Sequence, residues 1–222
     1  MVGGMTETTH HHSPEPAASA QEFWDGLYGE RERIWSGNPN HWLVAFGAEL
    51  TPGRVLDLGC GEGGDAVWLA ERGWQVTAID ITEVALGRLR TAAAERGVGD
   101  RIRAERRDLV TEFPDGAFDL VNAQFLQSPV EFPRAGVLRR AARALVPGGL
   151  LLIVDHGAMP PWSRHAENHV DFPSPTEVYE ELGLDETVWR AEVLDTRERP
   201  AVGPDGESAV LLDNIIAIRR LG

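Results

Sequence analysis

The 222-residue chain contains no lysine: all 21 of its basic side chains are arginine. That absence excludes Schiff-base chemistry on a lysine amine, and also a phosphate-cradling P-loop, whose consensus requires lysine. Cys60 is the one cysteine, so no intrachain disulfide can form, and a cytoplasmic setting is expected. No apolar stretch is long enough to span a bilayer, and no charged segment leads into an apolar run as in a signal peptide, so no membrane partner is expected. Positive charge is scarce: 35 acids oppose 21 bases, for a formal charge of -14. A nucleic-acid binder displaces counterions with surplus cations, so nucleic acid is not an expected partner either.

What remains is ordinary globular material, 42% hydrophobic and 25% charged, enough for one full domain but hardly two. Residues 1–20 run MVGGMTETTHHHSPEPAASA, a small, polar and proline-containing stretch that predicts a disordered tail. Its His10, His11 and His12 are assigned no specific role. Residues 21–50 carry Trp24, Tyr28, Trp35 and Trp42 and are expected to form an N-terminal helical, aromatic cover. The main domain is then 51–222, with a Pro-rich cap inserted at about 156–182.

From residue 51, short apolar runs alternate with helical patterns, the mark of βαβ units. Arg54–Leu58 predicts a buried strand and Asp65–Arg72 a helix stopped by Gly73. Gln75–Asp80 is a second strand, and Thr82 can cap a helix to about Arg96. Arg101–Arg106 alternates like an exposed strand, while Phe118–Asn122 reads as a buried one. Glu131–Leu145 places Val137, Leu138, Ala141 and Leu145 on one helical face. Pro147-Gly-Gly149 is expected to break the chain before the strand Leu150–Val154. A short helix near Thr176–Leu182 precedes two strands, Trp189–Arg199 and Ala209–Arg219, joined as a hairpin. The expected fold is α/β: a doubly wound, mostly parallel seven-stranded sheet with helices on both faces and a C-terminal antiparallel hairpin.

The first strand runs into Gly59-Cys-Gly-Glu-Gly-Gly64 and then a helix. Gly59, Gly61 and Gly64 satisfy G-x-G-x-x-G, with Asp80 about 20 residues onward, the fingerprint of a dinucleotide or another ribose-bearing ligand. Asp57, two residues before Gly59, would be unwelcome beside a pyrophosphate but suits a ligand carrying an ammonium or sulfonium cation. Asp108, after the third strand, can accept a hydrogen bond from an adenine amino group. All three acids fall at or near strand C-terminal ends, where open α/β sheets bind ligands.

Val55-Leu-Asp-Leu-Gly-Cys-Gly-Glu-Gly-Gly64, Asp80, Asp108 and Leu145-Val-Pro-Gly-Gly-Leu-Leu-Leu-Ile153 together resemble the class I S-adenosylmethionine-dependent methyltransferases. The likeness covers residues 50–155 by motif and 186–220 by pattern. It implies S-adenosyl-L-methionine as cofactor and S-adenosyl-L-homocysteine as product. By the same likeness, Asp57 and the backbone of Gly59, Cys60, Gly61, Glu62 and Gly63 would surround the methionine moiety. Asp80 would bind the ribose hydroxyls, Asp108 and Leu109 would hold the adenine, and Ile81 would pack on its face. Ala123 and Gln124 would approach the methionine end. Upstream, Phe23-Trp-Asp-Gly-Leu-Tyr28 and Ile34-Trp-Ser-Gly-Asn-Pro39 resemble the N-terminal cover of tellurite-resistance, thiopurine and thiol or halide methyltransferases. Tyr28 and Trp35 are therefore candidates for a cofactor cover, and they read equally as helix anchors buried against the domain.

Methyl transfer is an in-line displacement, for which the protein positions, desolvates and, where needed, removes a proton. Candidate bases are His156, His165 and His169, which read as well as polar residues of a cap surface. Their spacing matches no short ligand motif, so no metal is assigned. Cys60 is expected to pack rather than react. Trp35, Phe125, Trp162 and Phe172, near the expected mouth, would suit an apolar or aromatic acceptor. The expected function is methylation of an O, N or S nucleophile on a small molecule, with a thiol-, thiopurine- or metalloid-detoxifying enzyme as the nearest variant. A nicotinamide-dependent oxidoreductase would need a site such as Tyr-x-x-x-Lys, which a lysine-free chain lacks; a non-catalytic cofactor-binding module is the third class.

Overall fold

A computed structural model describes residues 19–163, 172–203 and 205–222. The candidate bases His165 and His169 lie outside the described residues, as does most of the expected tail. Ser19, expected within that tail, instead caps helix α1 (Ala20–Gly29). Its hydroxyl accepts the Glu22 N–H at 3.2 Å, and the Glu22 carboxylate accepts the Ser19 N–H at 2.9 Å. Helix α2 (His41–Gly47) follows and buries Trp42 and Leu43.

The sheet then forms from β1 (Arg54–Leu58), β2 (Gln75–Asp80), β3 (Ile102–Arg106), β4 (Phe118–Gln124) and β5 (Leu145–His156), all parallel. Strand β7 (Ser208–Arg220) runs antiparallel to both β5 and β6 (Trp189–Val202). The order β3-β2-β1-β4-β5-β7-β6 is the expected doubly wound sheet with its C-terminal hairpin. Because β1 leads to β2 on one side and is flanked by β4 on the other, a crevice opens at their carboxyl ends. Helices α3 (Gly64–Glu71), α4 (Glu83–Glu95), α5 (Arg134–Arg143) and α6 (Pro175–Leu182) cover the faces. Among the described residues, no helix is long and apolar enough to cross a membrane.

Side-chain alternation divides the core. Val55, Leu120, Leu152, Val154 and Ile215 pack on one face with Trp42, Trp68 and Leu89. Leu56, Val121, Ala123, Ile153 and Ile216 pack on the other with Val137 and Leu138 of α5. On the first face, the same alternation sends Asp57, Asn122, Gln124, His156 and Asp213 past the apolar rows toward the crevice.

Pro147-Gly148-Gly149, expected to break the chain, lies inside β5. Phe118 pairs with Leu145 and Leu120 with Leu150, so two steps along β4 oppose five along β5. The surplus residues bulge out of the ladder, which lets an internal strand carry a proline and two glycines.

The turn into α3 depends on Gly63, at φ +86°. A Cβ there would lie 2.0 Å from Leu89 Cδ1 on α4. At Gly64 a Cβ would meet the Asn38 carbonyl oxygen at 2.5 Å, so the chain before α2 rests directly on the start of α3. Gly63→Ala is therefore expected to cost about 2–5 kcal/mol, combining left-handed strain and overpacking. Gly87→Ala on α4, where a Cβ meets open space, should lose none; urea unfolding of both variants checks the contrast.

Candidate functional site

Asp57, Gln124 and His156 of the polar row at the strand ends line a cavity of about 1260 Å³, with Asn122 and Asp213 behind them. At its centre, Asp57 is buried; its Oδ1 accepts the Asn122 side-chain N–H at 2.8 Å, and its Oδ2 has no partner. The same Asn122 nitrogen reaches Asp65 Oδ2 at 3.2 Å. Asp65 also accepts the backbone and side-chain N–H groups of Asn40, at 2.6 and 2.9 Å. Burial, and then the nearby Asp65 charge, push the Asp57 carboxyl well above the usual carboxylate range; burial raises Asp65 as well. The relay continues outward: Gln124 Nε2 donates to Asn122 Oδ1 at 2.7 Å, which leaves Gln124 Oε1 buried without a partner.

On the β2 side, the two Asp80 oxygens accept the Gly61 N–H at 2.8 Å and the Thr82 N–H at 3.1 Å. Burial raises its pKa too. Asp108 Oδ1 accepts the Val110 N–H at 2.8 Å and so shapes the turn that carries Leu109. Both acids line the cavity, as do Ile81, Leu109 and residues 59–63 of the glycine loop. Cys60 also lines it, and burial followed by the Asp80 charge raises its thiol pKa, so it packs as expected.

The roof is the N-terminal segment, and Glu62 ties it down. Although Glu62 belongs to the loop expected around the methionine moiety, its carboxylate is turned to the roof. It accepts the Ile34 N–H at 3.1 Å and the Trp35 N–H at 2.9 Å, and pairs with Arg88 at 2.7 Å. Arg88 in turn donates to the Tyr28 and Arg31 carbonyls at 2.8 and 2.6 Å. Trp35 Nε1 donates to Tyr28 Oη at 3.0 Å. Tyr28 is buried, and that burial, with the Asp80 charge, raises its phenol pKa. Trp35 is 52% exposed, so of the two aromatics only Tyr28 is a buried anchor, while both line the cavity.

The opposite wall starts at Phe125, a non-glycine residue at φ +51°. Its N–H donates to the Val154 carbonyl and its own carbonyl accepts the Gln127 N–H, both at 2.7 Å, which hold that conformation. The Phe125 and His156 ring centroids lie 4.5 Å apart, with Phe172 6.0 Å beyond His156. Burial is the main influence on His156 and lowers its pKa; Asp213 opposes the shift and Arg199 reinforces it. Arg199 pairs with Asp213, which also accepts Trp42 Nε1–H at 2.8 Å. Arg134 donates to both Asp155 oxygens at 2.6 Å.

Two expected site residues lie elsewhere. Ala123 does not line the cavity: alternation along β4 turns it to the opposite face, into the core with Leu56 and Val121. Trp162 packs against Gly203 at the end of β6, away from the cavity. Conversely, Asn40, Asp65, Arg88, Asn122, Arg199 and Asp213 were not expected at the site. Asn122 and Asp65 had a signal, each being polar within an otherwise apolar strand or helix run. Among the described residues, no group of three His, Cys, Asp or Glu is placed to hold a metal.

Residues 55–149 match the family described as Methyltransferase domain. The ubiquinone biosynthesis O-methyltransferase of Xanthomonas euvesicatoria pv. vesicatoria (strain 85-10) is 36% identical over 139 residues, covering 62% of this chain and 57% of that protein. The ribosomal RNA small subunit methyltransferase C of Alcanivorax borkumensis is 34% identical over 132 residues, 56% of this chain and 39% of that protein. The chain thus spans about half the length of these curated relatives. A solved chain from work on conversion of a disulfide bond into a thioacetal group during echinomycin biosynthesis superposes with a TM-score of 0.68. It is 28% identical and matches over 90% of this chain and 93% of that one. TehB from Haemophilus influenzae shares the fold, with a TM-score of 0.62 at 18% identity over 91% of this chain and 67% of its own.

Removing the Arg88 guanidinium leaves the Glu62 carboxylate, whose side chain is 2% exposed, without its cation. Arg88→Ala should therefore lower unfolding stability by about 3 kcal/mol and speed amide hydrogen exchange at Ile34 and Trp35. Unchanged exchange there would show that the clamp does not hold the roof.

Proposed function

This chain belongs to the class I S-adenosylmethionine-dependent methyltransferases, and from that membership we propose that it transfers a methyl group from S-adenosylmethionine to an oxygen, nitrogen or sulfur nucleophile of a small molecule. One observation carries the reading: a single cavity joins an acidic, glycine-floored cradle to an aromatic wall bearing a histidine. The bound cofactor supplies an electrophilic methyl carbon on a sulfonium centre.

The residues present fit that cofactor. Asp57 offers a buried, partnerless oxygen for a cationic group, and Asp65 places a second carboxyl behind it. Asp80 spends one lone pair per oxygen on backbone N–H groups and keeps the others for ribose hydroxyls. Ile81 and Leu109 give the adenine apolar walls, beside Asp108. His156, kept neutral by burial, has a lone pair free to take the acceptor's proton. The covering roof and the aromatic wall exclude water around it. The charge of -14 repels a polyanion and favours a small acceptor. A sulfur acceptor is a second reading, supported by the likeness over 90% of the chain to the protein from the disulfide-to-thioacetal study.

Calorimetry should show S-adenosylmethionine binding that Asp80→Ala weakens at least about tenfold, or about 1.4 kcal/mol. Binding of NAD alone would sink the reading. A labelled-methyl screen over phenols, amines and thiols should then find an acceptor, with His156→Gln lowering kcat by about 10²–10⁴ and leaving cofactor affinity unchanged. Transfer to none of them would favour a non-catalytic module.

Asp57 also sets a pH dependence. A bound cation favours its ionised form, so cofactor binding releases a proton, and affinity should rise with pH up to the raised Asp57 pKa before levelling off. Asp57→Asn should flatten that profile. Stability of the free protein should move oppositely: with the folded pKa above the unfolded one, it falls as pH rises from the usual carboxylate range through the raised value.

A further inference from the structure

Asn122 and Gln124 cannot orient independently. Two carboxylate oxygens, Asp57 Oδ1 and Asp65 Oδ2, face one Asn122 atom at 2.8 and 3.2 Å; even where the pair retains one proton, at least one of these oxygens accepts, so that atom is the nitrogen. Asn122 Oδ1 is thereby left to accept, and the Gln124 atom 2.7 Å from it is also nitrogen. Rotating the Gln124 amide would set oxygen against oxygen. The consequence is that Gln124 Oε1 stays buried with no donor, on a residue lining the cavity. Gln124 stands two residues beyond Asn122 on the same face of β4, about 6.6 Å nearer the aromatic wall. Past Phe125, Gln127 carries a second buried Oε1 without a partner, and it too lines the cavity.

Along the chain these two residues stand on either side of Phe125, which also lines the cavity and whose ring lies against His156. The three guanidinium groups lining the cavity, those of Arg107, Arg134 and Arg199, are already paired with Glu105, Asp155 and Asp213. An acidic acceptor would therefore find no unpaired arginine among the described lining residues. Resting on the transferase reading above, we propose that Gln124 and Gln127 select the methyl acceptor, an uncharged flat aromatic ring that carries an O–H or N–H donor. Its ring lies along Phe125 and His156, and its donor fills Gln124 Oε1.

The test uses benzene-1,2-diol, 2-methoxyphenol and 1,2-dimethoxybenzene, which keep the ring and lose their donors one at a time. Their binding to the full chain saturated with S-adenosylhomocysteine is followed by ligand-observed NMR, and affinity for S-adenosylhomocysteine by calorimetry. The diol should bind at least tenfold more tightly than the dimethoxy compound. Gln124→Met should narrow that gap to under twofold while keeping S-adenosylhomocysteine affinity within twofold. Equal binding of all three by the unmodified protein, or binding of none, overturns the donor requirement. A Gln124→Met loss confined to S-adenosylhomocysteine makes Gln124 a cofactor contact and overturns its assignment to the acceptor. If Gln124→Met does not fold, Gln127→Met carries the same comparison: a narrowed gap supports the inference and an unchanged gap overturns it. Failure of the unmodified protein to bind S-adenosylhomocysteine overturns the transferase reading with it, and is read as a flat calorimetric trace rather than as lost selectivity.

Discussion

Two carboxylates, those of Asp57 and Asp65, are buried against a single amide nitrogen of Asn122, and no arginine among the described residues pairs with either. Buried acids without a cation are tolerated only where N–H donors surround them or where a proton is retained. Asn40 and Asn122 provide the donors, and the raised pKa values express the remaining cost. From this pair the rest of the site takes its geometry. Asn40 draws the N-terminal segment onto the start of α3, and Asn122 fixes the face that Gln124 shows to the cavity.

The roof is held on different terms. Buried Glu62 pairs with half-buried Arg88, whose guanidinium also reaches two backbone carbonyls, at Tyr28 and Arg31. A planar fork serves three acceptors at once in fixed directions, which a flexible ammonium point charge does less well. Arg88 is thus a position where the choice of base has a structural use, and Arg134, which reaches both oxygens of buried Asp155 and the Leu126 carbonyl, is another. At the β3 edge, by contrast, Arg103 and Arg107 flanking Glu105 make partly exposed pairs of little energetic weight.

The sheet and the glycine-loop side of the cavity were legible because their signals are local. Strand and helix periods, the glycine turn and the acids Asp57, Asp80 and Asp108 all sit within one continuous stretch. The aromatic-wall side was not legible, for a physical reason: its groups meet through pairings distant in sequence. His156 stood out as a titratable residue, but nothing adjacent to it named Asp213, Arg199 or Trp42 as neighbours. Trp162 looked like a pocket residue from its position after β5, whereas the chain there turns toward the end of β6. Ala123 was misplaced by one step of alternation, the smallest error a strand permits and enough to change faces. Pro147 misled because a bulge can absorb residues that a regular ladder would reject.

The hydrogen bond from the Trp42 indole to Asp213 joins residues 171 positions apart. Closing so long a loop adds only a logarithmic entropic cost, but the contact cannot form until β7 exists. During synthesis from the N-terminus, the glycine turn and Asp57, Asp80 and Asp108 are available well before Asp213 emerges. A nascent chain would hold the glycine turn and its acids early, and the tie from Trp42 to the strand behind His156 only at the end. The order of translation thereby separates the two halves of the cavity in time, although they are continuous in space.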